Sequence, residues 1–157
     1  TDALFRQREV PPALAPMTRL VPELAHRYPT FRFDIARGRV SRGDRRLRAD
    51  LAMQIAARAG EADLLLCPLG VGRHVDHLLT RDLGLVWPGQ VVWFSDFPYA
   101  LEHAPDPDFV RRTGLRPWSF DGGLEAKESL VRGYTTQVDA LFPSGVIPRL
   151  PETYWAR

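Results

Sequence analysis

Apolar and polar positions along the chain fall into two kinds of pattern, one with helical spacing and one with short strand-like runs. Helical spacing predicts helices over residues 17–28, 44–59, 74–83 and 124–142. Apolar or alternating runs predict strands over residues 31–35, 62–67, 91–94, 116–120 and 153–155, the last as a possible terminal edge strand. Pro29, Gly60 and Pro143 end three of the helices, and Asp44 is a plausible cap for the second. Strands that alternate with helices in this way predict an α/β fold with a mainly parallel sheet.

Length and composition indicate one soluble domain over residues 1–157. The chain is 45% hydrophobic and 25% charged, which is ordinary for a globular protein with a buried core. No apolar run approaches the roughly 20 residues that a membrane-spanning helix needs, and the first residues lack a signal-peptide pattern. We therefore expect a soluble, cytoplasmic protein without a membrane partner.

Charge and cysteine usage narrow the functional classes further. Lys and Arg number 21 against 19 Asp and Glu, a formal net charge of +2 that argues against a general nucleic-acid binder. Asp44 lies among the four arginines between residues 42 and 48, and Asp50 follows them, so a solvated helix face is favoured over a phosphate-binding stripe. The single Cys67 excludes an internal disulfide and a Cys-rich zinc cluster, and its place in an apolar run predicts a small buried side chain.

Three side chains that can bind metal or transfer protons lie within a stretch of four residues after the predicted strand at residues 62–67. They are His74, Asp76 and His77. α/β proteins place ligands beyond the carboxyl ends of such strands. Two histidines three residues apart share a helix face, so they can offer a metal ligand and a second polarising group to one point. Asp76 can fix the tautomer of an imidazole. The alternative is that the three side chains only cap the helix and charge its surface.

Four sequence landmarks, in this order, resemble the LmbE-like, or PIG-L, family of metal-dependent N-acetylglucosamine deacetylases. They are LCPLGVGRHVDH at residues 66–77, WFSDFPYA at 93–100, the stretch 127–142, and ETYW at 152–155, with DALFR at 2–6 as a weaker fifth. Together they span nearly the whole chain. The resemblance implies a Rossmann-like, mainly parallel sheet flanked by helices, and hydrolysis of an acetyl group from a small amino-sugar conjugate.

The resemblance also implies a role for individual residues. His77 corresponds to a ligand of Zn²⁺ or another divalent metal, and His74 to the histidine that polarises the amide carbonyl and stabilises the oxyanion. Asp76 corresponds to the carboxylate that orients His74. Asp96 and Tyr99 become candidates for the substrate-binding rim. Arg73 is a third substrate-binding candidate, with an exposed salt bridge as its alternative.

One family motif is absent, and its absence changes the expected function. The family draws its other metal ligands and its general base from an amino-terminal H-P-D-D-E-type motif, which this sequence lacks. We therefore expect the chain to be the carboxyl-terminal portion of a deacetylase domain, with the first strand or strands missing, and to be inactive alone. The missing amino-terminal segment would be its partner. The alternative is a non-catalytic remnant that binds a sugar or a protein. A nucleotide-binding function is disfavoured because no G-x-G-x-x-G or P-loop follows a predicted strand.

Overall fold

The computed structural model describes residues 3–28, 34–35, 37–59, 62 and 64–157. Within them a four-stranded sheet has the order β1-β2-β4-β3. Its strands are Leu64–Pro68 (β1), Gln90–Phe94 (β2), Arg116–Phe120 (β3) and Glu152–Ala156 (β4). The predicted α/β class is confirmed, and the four strands match the predictions at residues 62–67, 91–94, 116–120 and 153–155.

The strand directions correct the prediction of a mainly parallel sheet. β1 and β2 are parallel, with Leu66 opposite Val92. β4 is antiparallel to both β2 and β3, so one of the three pairings in the described residues is parallel. β4 was predicted as an edge strand, but it lies inside the sheet, between β2 and β3. The alternation of side chains along a strand fixes which residues share a face, but it does not fix the neighbour or its direction.

Six α-helices accompany the sheet in the described residues. They are Ala15–Leu20 (α1), Arg42–Ala59 (α2), Val75–Leu83 (α3), Pro107–Thr113 (α4), Leu124–Arg132 (α5) and Val138–Leu141 (α6). Short 3₁₀ turns occur at Ala3–Phe5, Pro12–Leu14, Pro22–Ala25 and Tyr99–Leu101. α3 packs against both β1 and α2. None of the described helices combines the length and apolarity that crossing a membrane requires.

Two predicted helices are interrupted. The helix predicted over residues 17–28 ends at Leu20, because Pro22 disfavours helical backbone at Val21, which adopts φ −132° and ψ 82°. The helix predicted over residues 124–142 is divided into α5 and α6. Gly133 lies at the break, and the β-branched Thr135 and Thr136 that follow it are also poor helix formers.

The region before α2 differs from its prediction. Of the strand predicted over residues 31–35, the first three residues lie outside the described residues, and Asp34 and Ile35 have helical backbone. Asp44 is not the cap of α2, because the helix begins two residues earlier and the hydroxyl of Ser41 accepts the Asp44 N–H at 3.1 Å. The predicted helix stop at Gly60 lies outside the described residues.

The main core is formed by side chains from β1, the loop after it, β2, α4 and the residue Leu115 that follows α4. It contains Cys67, Leu69, Val71, Trp93, Phe109 and Leu115. The Trp93 indole meets the Phe109 ring edge-on and donates its N–H to the Arg81 carbonyl at 3.2 Å. Cys67 is buried as predicted, and burial raises the pKa of its thiol to about 11. The thiol therefore stays protonated and serves as a small apolar side chain.

Candidate functional site

The loop between β1 and α3 contains two glycines with positive φ, a backbone conformation that other residues rarely adopt. Gly70 and Gly72 have φ of 79° and 80°, and Arg73 adopts a positive φ of 62°. A Cβ atom at Gly70 would lie 2.8 Å from Leu78 Cδ2, and one at Gly72 would lie 3.0 Å from Tyr99. The loop therefore packs tightly against its surroundings. A non-glycine residue with positive φ is uncommon, and such strain concentrates at functional sites.

His77 and Asp96 meet beyond the carboxyl ends of the two parallel strands. Asp96 follows β2 and is 2% exposed, and its Oδ2 accepts the Val71 N–H at 2.8 Å. Its Oδ1 lies 2.6 Å from Nδ1 of His77, whose side chain is 34% exposed. Neither of these two atoms makes a hydrogen bond with any described residue, so the two atoms are in close contact without hydrogen-bond alignment. The arrangement leaves Nε2 as the second nitrogen of a partly exposed ring.

His74 occupies the N-cap position of α3. Its Nδ1 accepts the Asp76 N–H at 3.3 Å. In a neutral imidazole that accepts at Nδ1, the proton is on Nε2, which is then a hydrogen-bond donor. The ring centroids of His74 and His77 are 5.5 Å apart. The structure therefore brings the two predicted histidines together, and it also gives His74 the capping role that the sequence left open.

The Asp76 carboxylate is bound chiefly by the amino-terminal part of the chain. Its Oδ2 accepts the Ala3 N–H at 2.9 Å, and its Oδ1 contacts the guanidinium group of Arg6. Its Oδ2 is 4.0 Å from Nδ1 of His74, the outer limit of an ion pair. Asp76 thus influences His74 by proximity and through its own backbone N–H.

Sequence reasoning missed a buried charge network behind the cluster. Asp44 is fully buried and accepts hydrogen bonds from Arg27 at 2.6 Å and from the Tyr28 hydroxyl at 2.5 Å. Arg6 is 7% exposed and joins the two carboxylates, with Nε 3.5 Å from Asp44 and Nη2 in contact with Asp76. The only sequence signal for Arg6 was its place in the weak DALFR landmark.

The three residues predicted to bind substrate are placed differently from one another. Tyr99 is 38% exposed, and its ring stands edge-on to His77 at 5.7 Å, so it belongs to the His77 neighbourhood. Asp96 lies buried against His77, which favours a positioning role over contact with substrate. Arg73 is exposed and lines a separate cleft between α2 and α3.

The described residues do not fit a complete zinc site. Catalytic zinc is usually held by three protein ligands and a water molecule. His77, backed by a buried carboxylate, is a suitable single ligand. However, no group of three His, Cys, Asp or Glu side chains among the described residues converges as a metal site.

Comparison with known proteins adds two distant similarities. The sequence matches no family model and no curated protein. One solved structure, the A40926 pseudoaglycone deacetylase Dbv21, is 20% identical, and the match covers 99% of this chain and 82% of that chain with a TM-score of 0.49. A deacetylase triple mutant, Orf2*T, involved in the teicoplanin biosynthetic pathway, is 21% identical with the same coverage and TM-score. Similarity at this level does not assign an activity to this chain.

Proposed function

We propose that the protein is a metal-dependent amide hydrolase that removes an acetyl group from an N-acetylglucosaminyl conjugate. The observation that carries this proposal is the pair formed by buried Asp96 and partly exposed His77 at the carboxyl ends of β1 and β2. A metal-ligating histidine commonly uses its second nitrogen to contact a carboxylate, which fixes the tautomer and increases the basicity of the ligand. Asp96 can do this for His77 and leave Nε2 for a divalent metal, with Zn²⁺ as the preferred ion.

The remaining metal ligands must come from outside the described residues. The free edge of β1 supports this part of the proposal. Among the described strands β1 pairs only with β2, and its Leu64 and Leu66 are 47% and 55% exposed. A further strand paired in parallel with β1 would bring its own carboxyl end beside the loop that carries His74. We propose that such a segment supplies the missing ligands and a general base, and that these 157 residues alone are inactive.

His74 is proposed to stabilise the negative charge that develops on the acetyl oxygen. Its ring lies next to His77, and Nε2 of its neutral form is a donor. A preorganised donor at this position stabilises the transition state more than the ground state. Asp76 and Arg6 would hold the start of α3, and therefore His74, in place, while Tyr99 would form one wall of the substrate site.

A second candidate function is a non-catalytic module that binds a sugar or a partner protein. The observation that favours it is the lack of a three-ligand metal group among the described residues. The two functions differ in one respect that is simple to measure. The hydrolase releases acetate, whereas the module binds its ligand unchanged.

Asp96→Asn should lower the zinc affinity of the protein by about 10- to 100-fold. The amide oxygen can still accept the Val71 N–H, but the amide nitrogen would donate to Nδ1 of His77 and shift the ring proton to Nε2. Competition with a chromophoric chelator would measure the affinity. Asp121→Asn, which makes the same change at an exposed residue, is the control. Unchanged affinity in Asp96→Asn would contradict the positioning role.

The proposed activity can be tested by acetate release. The natural full-length polypeptide that contains these residues would be incubated with a panel of N-acetylglucosaminyl conjugates, with zinc or with a chelator. We expect zinc-dependent acetate from at least one conjugate and none from the His77→Ala variant. Saturable binding of a conjugate without acetate release would instead support the non-catalytic module.

A further inference from the structure

An arginine-lined cleft lies on the side of α3 that faces α2. Its volume is about 610 Å³, and Leu78 and Leu79 contribute apolar surface to it. Its cationic lining consists of Arg39, Arg45, Arg48, Arg73 and Arg81. Asp82 and Asp106 are the carboxylates in the lining, so positive charges exceed negative charges by three. The arginines come from three separate parts of the sequence, which is why the pattern along α2 alone favoured a solvated face.

The two carboxylates are occupied by two of the arginines. Asp82 pairs with Arg48 at 3.0 Å and with Arg81 at 3.2 Å. Asp106 lies 3.5 Å from Nη1 of Arg81 and caps α4 through the Asp108 and Phe109 N–H groups. Burial alone would raise the pKa of Asp106, but those two N–H groups and the charges of Arg81 and Arg73 bring it below its ordinary value. Asp106 is therefore charged at neutral pH and is already neutralised by neighbours.

Three groups in the cleft keep binding capacity for an anion. No carboxylate of the described residues lies within ion-pair distance of Arg45 or Arg73. The buried Nη1 of Arg81 makes no hydrogen bond among them, although it lies 3.5 Å from Asp106 Oδ2, and the guanidinium carbon stands over the Phe109 ring at 4.1 Å. A buried donor without a hydrogen bond is costly, and a guanidinium group matches the oxygens of phosphate and carboxylate.

We propose that this cleft binds a small molecule that carries several anionic oxygens, as in a phosphate ester or a polycarboxylate. A small molecule is favoured over nucleic acid for two reasons. Asp82 and Asp106 interrupt the positive lining, which would repel a continuous phosphate backbone, and the whole chain has a formal net charge of only +2. The proposal does not depend on the hydrolase activity, because His77 does not line this cleft.

Calorimetric titration with inorganic phosphate, pyrophosphate and citrate, on protein freed of metal beforehand and at low ionic strength, tests the site. We expect saturable one-to-one binding of pyrophosphate that weakens as salt is added. Arg45→Gln and Arg73→Asn should each weaken it about tenfold, because each removes a charged donor. Asparagine is chosen at position 73 because it tolerates positive φ. A preference for pyrophosphate would assign a phosphate ligand, and a preference for citrate would assign a polycarboxylate.

Arg58→Gln is the matched control, because it removes the same charge from an exposed residue in the last turn of α2. It should bind pyrophosphate as the unmodified protein does. Equal weakening by Arg58→Gln and Arg45→Gln would reduce the effect to net charge and overturn the site. Absence of saturable binding up to about 10 mM ligand would also overturn it, because such a dissociation constant corresponds to a binding free energy of only about −3 kcal/mol. So would binding of a single-stranded oligonucleotide that pyrophosphate does not displace. Thermal unfolding would verify that each variant is folded.

Discussion

His77→Ala should abolish zinc binding by the full-length protein, whereas His74→Ala should retain zinc and lose about a hundred- to a thousandfold in turnover. The first result follows from the proposed role of His77 as a metal ligand, in which Asp96 contacts Nδ1 at 2.6 Å and Nε2 binds the metal. The second follows because removing one donor to a developing oxyanion typically costs about 3–4 kcal/mol of transition-state stabilisation. Zinc content by mass spectrometry and the rate of acetate release would be measured on the same preparations.

Two further variants separate catalysis from folding in this comparison. His74 caps α3, and loss of a helix cap costs about 1 kcal/mol. His74→Asn keeps a good capping side chain but has no imidazole, so it should be as slow as His74→Ala and more stable. His103→Ala removes an exposed histidine in a turn and should change neither zinc content nor rate. Equal zinc occupancy in the His74→Ala and His77→Ala variants would refute the division of roles.

The elements around the site were predictable from the sequence because they depend on neighbouring residues. The apolar runs at β1 and β2 and the spacing of α3 are local patterns, and they place His74 and His77 directly after a strand. The contact between His77 and its partner Asp96 was harder to predict from the sequence. Asp96 was assigned to the correct end of β2, but whether its carboxylate faces solvent or the adjacent loop depends on how residues 69–74 pack over it. That packing involves contacts between residues about 25 positions apart.

Features that require distant parts of the chain to meet were not predictable. The position of β4 between two earlier strands is decided by the packing of the whole sheet, because its own pattern fits an edge equally well. The arginine-lined cleft likewise depends on contacts between distant parts of the chain. Arg45 has the spacing of a surface residue on α2, and its opposition to Arg73 and Arg81 arises only after α2 packs against α3. Asp44 was placed at a helix end by its residue type, and tertiary contacts instead buried it.

Asp44→Ala should lower the free energy of unfolding by about 3–5 kcal/mol, the usual cost of removing one partner from a buried ion pair. Asp44 is fully buried and accepts hydrogen bonds from Arg27 and Tyr28, with Arg6 close by. Without it, the buried Arg6 charge loses a counterion and the Tyr28 hydroxyl loses its acceptor. Urea unfolding would measure the change. Asp50→Ala, at an exposed residue on the same helix, should stay within about 0.5 kcal/mol.

A double-mutant cycle can show that Asp44 acts through this network. Burial, and then the hydrogen bond to Asp44, raise the pKa of Tyr28, so its hydroxyl is a neutral donor at physiological pH. Tyr28→Phe alone removes the hydrogen bond from the Tyr28 hydroxyl to Oδ2 of Asp44 and should destabilise the fold. In the Asp44→Ala background, Tyr28→Phe should lower the free energy of unfolding by about 1 kcal/mol less than it does in the unmodified protein, because the carboxylate acceptor is already gone. Additive effects would indicate that the two residues stabilise the fold independently.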